Sequence, residues 1–227
     1  MKQKIVLKFC IFILVTIFTS SLFAQDSQNE NLVDNGNFII GAGLAFQYFS
    51  QEDDFRKASG LFGDSDKIEG VTGAQLYGEL LLNDTFALEL PVGVGIGYKF
   101  QMMAGGVEYT TTLSNTIEKK IEITNHIAYM NLYIPLDADK YWVLGGTAGV
   151  GYSGYEISWT YSSSAYTDTS DTASGFVIPL GVFLDWGADG IGGRLGYNYV
   201  LSKYSDIDGS TPKGGGSQFY IDLRYAF

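Results

Sequence analysis

Cysteine, histidine, proline and basic residues are all scarce in this chain of 227 residues: one Cys, one His, four Pro, and 14 Lys plus Arg against 25 Asp plus Glu. Each shortage excludes something. The lone Cys10 lies in an N-terminal apolar run, so a chain that loses this run keeps no thiol for disulfides, zinc or nucleophilic chemistry. A net charge of −11 offers no basic surface for phosphates, which excludes nucleic acid as a partner. No metal or cofactor is expected. The longest candidate for a spanning helix, Phe9 to Phe18, falls short of the ~20 apolar residues that a bilayer requires.

That short run has another use. Lys2, Lys4 and Lys8 precede it, small and polar residues Thr19 to Ser21 follow, and Ala24 stands before Gln25. This is the pattern of a secretory signal peptide cleaved near Ala24, which makes residues 1–24 the signal. Cys10 sits at the start of the apolar run rather than at its end, which argues against a lipoprotein. Removing the three lysines makes the remaining chain still more acidic. Residues 25–37 are polar, acidic and without period, and are expected to form a periplasmic lead to a single domain over residues 38–227.

Glycine and aromatics are abundant where charge is not, with 29 Gly, 16 Tyr and 15 Phe against 17% charged residues. From Phe38 onward the apolar residues recur with period two, which selects strands over helices. Phe38, Ile40, Ala42, Leu44, Phe46 and Tyr48 share one face, with Gly41, Gly43, Ala45 and Gln47 opposite. The same pattern predicts strands over Val71 to Leu82, Phe86 to Gln101, a segment ending near Leu136, Trp142 to Tyr152, Phe176 to Trp186, Arg194 to Leu201, and Ser217 to Phe227. That makes eight.

The predicted links alternate in length. Asn83 to Thr85, Asp137 to Lys140 and Gly187 to Gly190 are turn-like. Ser50 to Gly70, Met102 to Glu122, Ser153 to Ser174 and Ser202 to Gly216 are long and polar. Short turns alternating with long loops on an even strand count fit a transmembrane barrel with its loops outside the cell. Aromatics on the apolar face gather at both strand ends, as interfacial girdles would: Phe38, Phe86, Trp142, Trp186 and Phe227 on the turn side, and Tyr48, Tyr98, Phe100, Tyr152, Tyr197 and Tyr199 on the loop side. A soluble lipocalin-like barrel would carry many charges on its other face, where only seven are placed: Glu79, Glu89, Lys99, Asp185, Arg194, Asp222 and Arg224.

The unbroken alternation of the last strand, its Tyr225-Ala226-Phe227 ending, the signal peptide and the strand count together resemble the small eight-stranded outer-membrane β-barrels of the OmpA/OmpX type, and in particular Bacteroidetes-like outer-membrane β-barrel proteins. The resemblance implies an all-β, eight-stranded antiparallel transmembrane barrel in the outer membrane of a Gram-negative bacterium. Tyr225 and Phe227 would be its assembly signal, read by the barrel assembly machinery. Lipid and lipopolysaccharide would surround it. The expected function is a structural or interaction protein, with the barrel as anchor and the loops as contact surface for an unknown extracellular partner.

Two alternatives stay open. A narrow, porin-like ion or small-solute pore is one, because eight strands enclose a lumen only just wide enough for side chains. A lipid-modifying enzyme is the less favoured one. Lipid A deacylases pair a His with a Ser two residues on, whereas here His126 is followed by Ala128, so no catalytic residue is assigned.

Within the lumen, Tyr77, Tyr129 and Tyr220 are expected beside Lys99, Asp185 and Asp222. A tight turn at Asn83 to Thr85 would place Glu79 opposite Glu89. Arg194 and Arg224 lie near the same level, which predicts a plugging cluster of Glu79, Glu89, Arg194 and Arg224 at the periplasmic end. Pro91, Pro135 and Pro179 fall at equal intervals but on strands of opposite direction, so local bulges rather than a repeat are expected.

Overall fold

The computed structural model describes residues 38–49, 68, 70–82, 92–110, 116–136, 142–162, 167–187, 190–205, 212 and 215–227. The signal and lead segments, Phe86, Glu89, Pro91 and most of the first and fourth loops lie outside them. Eight strands follow in chain order: β1 (Phe38–Phe49), β2 (Gly70–Leu81), β3 (Gly93–Thr110), β4 (Thr116–Pro135), β5 (Trp142–Tyr161), β6 (Thr169–Trp186), β7 (Gly190–Tyr204) and β8 (Gly216–Ala226). Each pairs antiparallel with its neighbours, and β8 closes on β1.

The ladder fixes the stagger. A path of directly paired residues runs from Phe38 through Leu80, Ile96, Met130, Ala148, Leu180, Tyr199 and Ser217, and returns to β1 at Tyr48, ten residues from its start. Closing eight strands with that offset tilts them about 40° to the barrel axis. The apolar outer stretches Phe38 to Tyr48, Trp142 to Tyr152 and Phe176 to Trp186 then match the ~9–11 residues that a tilted strand needs to cross hydrocarbon.

The faces lie as their periodicity requires. Leu44, Ile96, Met130, Val150, Leu180, Leu195 and Ile221 are exposed outward, while Gln75, Glu79, Gln101, Asn131, Asp185, Arg194 and Asp222 are buried inside. Ring pairs mark both edges of the band. Trp142 lies 6.4 Å from Trp186 and Phe38 lies 6.2 Å from Phe227 at the turn side. Phe100 lies 5.1 Å from His126 at the other.

Three expectations are corrected. First, the second and third loops are largely strand: β3 runs to Thr110, β4 starts at Thr116, β5 runs to Tyr161, and β6 starts at Thr169. The physical reason is a polarity inversion without a change of phase. On β4 the outward residues are Met130, Leu132 and Ile134 within the band, but Glu118, Lys120, Glu122 and Thr124 above it. The inward residues change the other way, from Asn131 and Asn125 to Ile123, Ile121 and Ile117, with Lys119 the one charged residue buried among them on β4. β5 does the same, with Tyr155, Ile157 and Trp159 buried while Glu156 and Thr160 face out. Above the lipid the sheet meets water, and its apolar side must turn inward.

Second, the β2–β3 register is not the one that a turn at Asn83 to Thr85, itself outside the described residues, would give. Leu81 pairs with Gly95 and Glu79 with Gly97, so Glu79 does not face Glu89 across the ladder. Gly95 lies against the Glu79 carboxylate: a Cβ there would come within 2.1 Å of Oε1. This register thus gives a bulky buried acid a vacant site on the next strand, instead of a second acid.

Third, Pro179 makes no bulge. The pairs Ala148–Leu180 and Gly151–Val177 flank it in one register, with no residue inserted. Only the intervening pairs are missing, as the absence of a proline N–H requires. Pro135 pairs in register with Val143 at the end of β4.

Candidate functional site

Among the described residues, the lumen holds most of the buried charge. Nearest the periplasmic end, Arg194 of β7 is 2% exposed and faces Asp185 of β6, its partner in the ladder. Its Nε donates to Asp185 Oδ1 at 2.7 Å and its Nη2 to Oδ2 at 2.9 Å, a bidentate fork. Nη1 reaches Glu79 Oε2 at 3.5 Å, and Nη2 donates to the Tyr133 hydroxyl at 3.0 Å. The guanidinium also lies 4.1 Å from the Phe183 ring centre, within cation–π range.

Glu79, fully buried, receives Asn131 Nδ2 at 3.0 Å, Tyr129 Oη at 3.4 Å, and a close bond from Tyr133 Oη. Arg224 does not join Glu79. Its Nε lies 3.6 Å from Asp185 Oδ2, and its Nη2 donates to the Gly187 carbonyl, where the chain turns with φ of 89°. Of the four residues expected to cluster, the structure thus brings Glu79 and Arg194 together and links Arg224 through Asp185. Glu89 lies outside the described residues.

Above this layer Lys99 sits among three tyrosine rings, 4.5 Å from the centre of Tyr220, 5.6 Å from Tyr129 and 5.8 Å from Tyr77. The rings fit because each lies over a glycine of an adjacent strand. A Cβ at Gly41, Gly97 or Gly196 would strike Tyr77, Tyr129 or Tyr220 at 2.3, 2.5 and 2.1 Å.

A third layer is made of amides from six strands, and the sequence reading did not assign it. Gln75 Nε2 donates to Asp222 Oδ1 at 2.6 Å, and Gln101 Nε2 donates to Gln75 at 2.7 Å and to Gln218 at 3.3 Å. Asn125 donates to Gln101 at 3.2 Å, Asn198 to Gln218 at 3.1 Å, and Gln218 to Gln47 at 3.1 Å. Their common phase on the inner face was legible. Their common level was not, because it depends on the stagger. A fourth layer, mostly apolar, occupies the extension: Ile121, Ile123, Tyr155, Ile157, Trp159 and Met103, with Lys119 buried beside them.

Among the described residues, four successive layers of buried side chains occupy the lumen. Outside it, His126 stands at the upper edge of the band with Nδ1 2.5 Å from Tyr98 Oη, and Ala128 follows it outward. Among the described residues no group of three or more His, Cys, Asp or Glu could hold a metal ion.

A closed eight-stranded antiparallel ring with an apolar outer band and a polar interior is a membrane-spanning barrel, and its fold is that of the small outer-membrane β-barrels. Known structures are similar to it. Ail, the attachment invasion locus protein of Yersinia pestis, is 15% identical with a TM-score of 0.45, over 83% of this chain and 97% of that one. Neisserial surface protein A is 11% identical with a TM-score of 0.42, over 85% and 98%. The outer membrane protease OmpT from Escherichia coli is 10% identical with a TM-score of 0.39, over 87% and 99%. These likenesses are of fold alone. No family model and no curated protein matches the chain.

Proposed function

We propose that this protein is an outer-membrane anchor without catalytic activity, which holds a rigid, water-facing β-extension at the cell surface as a contact platform for an extracellular partner. The observation that carries this reading is the inversion of polarity along β3 to β6. These strands leave the apolar band, bury Ile121, Ile157 and Trp159 inside, and present Glu118, Lys120, Glu156 and Thr160 outside. Such a stalk is built to stand in water, and the filled lumen beneath it supports anchoring over conduction. In this reading residues 1–24 direct export, residues 25–37 lie in the periplasm, lipid and lipopolysaccharide surround the band, and the assembly machinery reads Tyr225 and Phe227.

Orientation is tested by cysteine labelling, for which a chain processed near Ala24 has no competing thiol. A Lys120→Cys variant should react with a membrane-impermeant maleimide on intact cells. A Leu136→Cys variant, at the turn end of β4, should react only after lysis. The reverse result would overturn the proposal. Planar-bilayer recordings test the anchor against the pore: steady, well-resolved openings from the purified barrel would favour the pore.

A further inference from the structure

Among the described residues the closed ladder has one gap within the apolar band. Between β5 and β6, paired residues run from Trp142–Trp186 up to Ala148–Leu180 and resume at Gly151–Val177. Above that point Ser174 accepts from the Ser205 N–H and donates to Ser205 Oγ, so its backbone turns toward β7. Alternate residues of a strand bond to opposite neighbours, which turns Val177, Pro179 and Gly181 toward β5. Pro179 therefore stands where an N–H would meet the carbonyl of Gly149, and proline has none. The rung is lost in hydrocarbon, where no water replaces it.

The strands beside the gap have little to hold it shut. β5 brings Gly145, Gly146, Gly149 and Gly151 through the band, and glycine in a strand adds backbone freedom without a side chain to pack. Behind the seam, between Gly145 and Gly151 and between Val177 and Phe183, the inward side chains other than glycine are Thr147, Val177, Pro179 and Phe183. No charge and no amide lies there. Above the level of Asp185, which is held to Arg194 of β7, every other pair of neighbouring strands includes one with a buried charge or amide on its inner face: Gln75 on β2, Lys99 on β3, Asn125 on β4, Asn198 on β7 and Asp222 on β8. Parting those strands would carry such a group toward hydrocarbon, at a desolvation cost that the β5–β6 seam does not incur. The backbone bonds to be broken are alike at every seam, so these differences decide which opens first.

Both ends of the gap are closed. At the turn end Trp142 and Trp186 pair with ring centres 6.4 Å apart, and toward the loops the pairs continue without a break from Gly151–Val177 to Trp159–Thr169. We propose that the barrel opens sideways at this seam: β5 and β6 part about Gly149 and Pro179, between those two clasps, and bring the lumen-facing Val177 into contact with the acyl chains of the bilayer. The opening belongs to the transmembrane band and is independent of the surface role of the extension.

The test uses the full processed chain refolded in lipid vesicles, which has no thiol of its own once residues 1–24 are removed. Val177→Cys and Val71→Cys each place one thiol at an equally buried inner position near the loop end of the band, on β6 beside the seam and on β2 away from it. A lipid-soluble maleimide should modify V177C about tenfold faster than V71C, the scale of one hydrogen bond lost from the seam. A charged, impermeant maleimide should modify neither. Restoring the N–H with Pro179→Val should bring the V177C rate down to that of V71C, in a chain that keeps the heat-modifiable gel mobility of a folded barrel. Equal rates for V177C and V71C would overturn the proposal whether or not the Pro179 variant folds. So would a V177C rate that P179V leaves unchanged, or equally fast modification by the charged reagent, which would place the path through the lumen.

Discussion

Replacing Arg194 by methionine keeps the side chain's bulk and removes the cation that two buried acids share. Asp185 would lose both short bonds of the fork, at 2.7 and 2.9 Å, and keep only Arg224, whose Nε is 3.6 Å away. Glu79 would retain Asn131, Tyr129 and Tyr133. The layer would pass from two acids and two bases to two acids and one base, leaving one buried charge uncompensated. Breaking one partner of such a set costs about 3–5 kcal/mol. At 1.4 kcal/mol per tenfold, that is a shift of roughly a hundredfold to a few thousandfold in the folding equilibrium. Urea unfolding in lipid vesicles, followed by the fluorescence of the lipid-facing Trp142 and Trp186, measures it. The R194M/D185N double variant should be more stable than R194M, because the orphaned charge is gone. R194M should not conduct in planar bilayers, since the amide and apolar layers still cross the lumen. A loss below about 1 kcal/mol, the scale of an exposed pair, or no recovery with D185N, would refute the reasoning.

Other outcomes follow from other parts of the barrel. Deleting Phe227, whose N–H donates to the Phe38 carbonyl at 2.9 Å, should reduce the fraction of heat-modifiable folded barrel without altering export, and an unchanged fraction would discount the assembly signal. Gly196→Val should destabilise by about 1–3 kcal/mol through overpacking against Tyr220, and Tyr220→Ala in the same chain should relieve it. Ile157→Ala, in the buried interior of the extension, should cost about 2–5 kcal/mol in the same urea assay, and Ile178→Ala on the lipid face far less. Equal costs at the two positions would contradict the inversion of polarity.

What the sequence disclosed was whatever depends on period two. The strands and their two faces follow from alternation, and the alternating link lengths and the scarcity of charge on one face then turn Lys99, Asp185, Asp222 and Arg194 inward. What it concealed depends on the surrounding solvent or on stagger. The segment Ser153 to Tyr161 looked like loop because its apolar residues, Tyr155, Ile157 and Trp159, fall on the face opposite Trp142, Leu144 and Val150. A search for one continuous apolar face ends where that face enters water, though the strand goes on. Tyr133 and Asn131 share the inward phase of Tyr129 on β4, but their place beside Glu79 depends on the β2–β3 and β3–β4 registers.

The displaced register shows why turn chemistry was a poor guide here. Asn83 to Thr85 has the composition of a tight turn, and pairing Leu82 with Phe86 would have continued a regular ladder. Local turn preference is worth a few tenths of a kcal/mol to about one, whereas two buried carboxylates face to face cost several. The observed register avoids that contact and gains another, because it sets Glu79 against Gly95 and the Tyr129 ring over Gly97. The same complement recurs around the ring, with Phe183 over Gly145 and Tyr220 over Gly196. In this narrow barrel each of these rings lies over a glycine across the ladder, which gives it the volume it needs. Register at the ring positions of this lumen is therefore set by volume, and the ion pairs form among the polar groups that the same register places side by side. On that basis, substitutions at the inner glycines should disturb assembly of the barrel more than loss of Arg224, whose Nη2 holds only the Gly187 carbonyl and whose Nε lies beyond ordinary hydrogen-bond distance from Asp185.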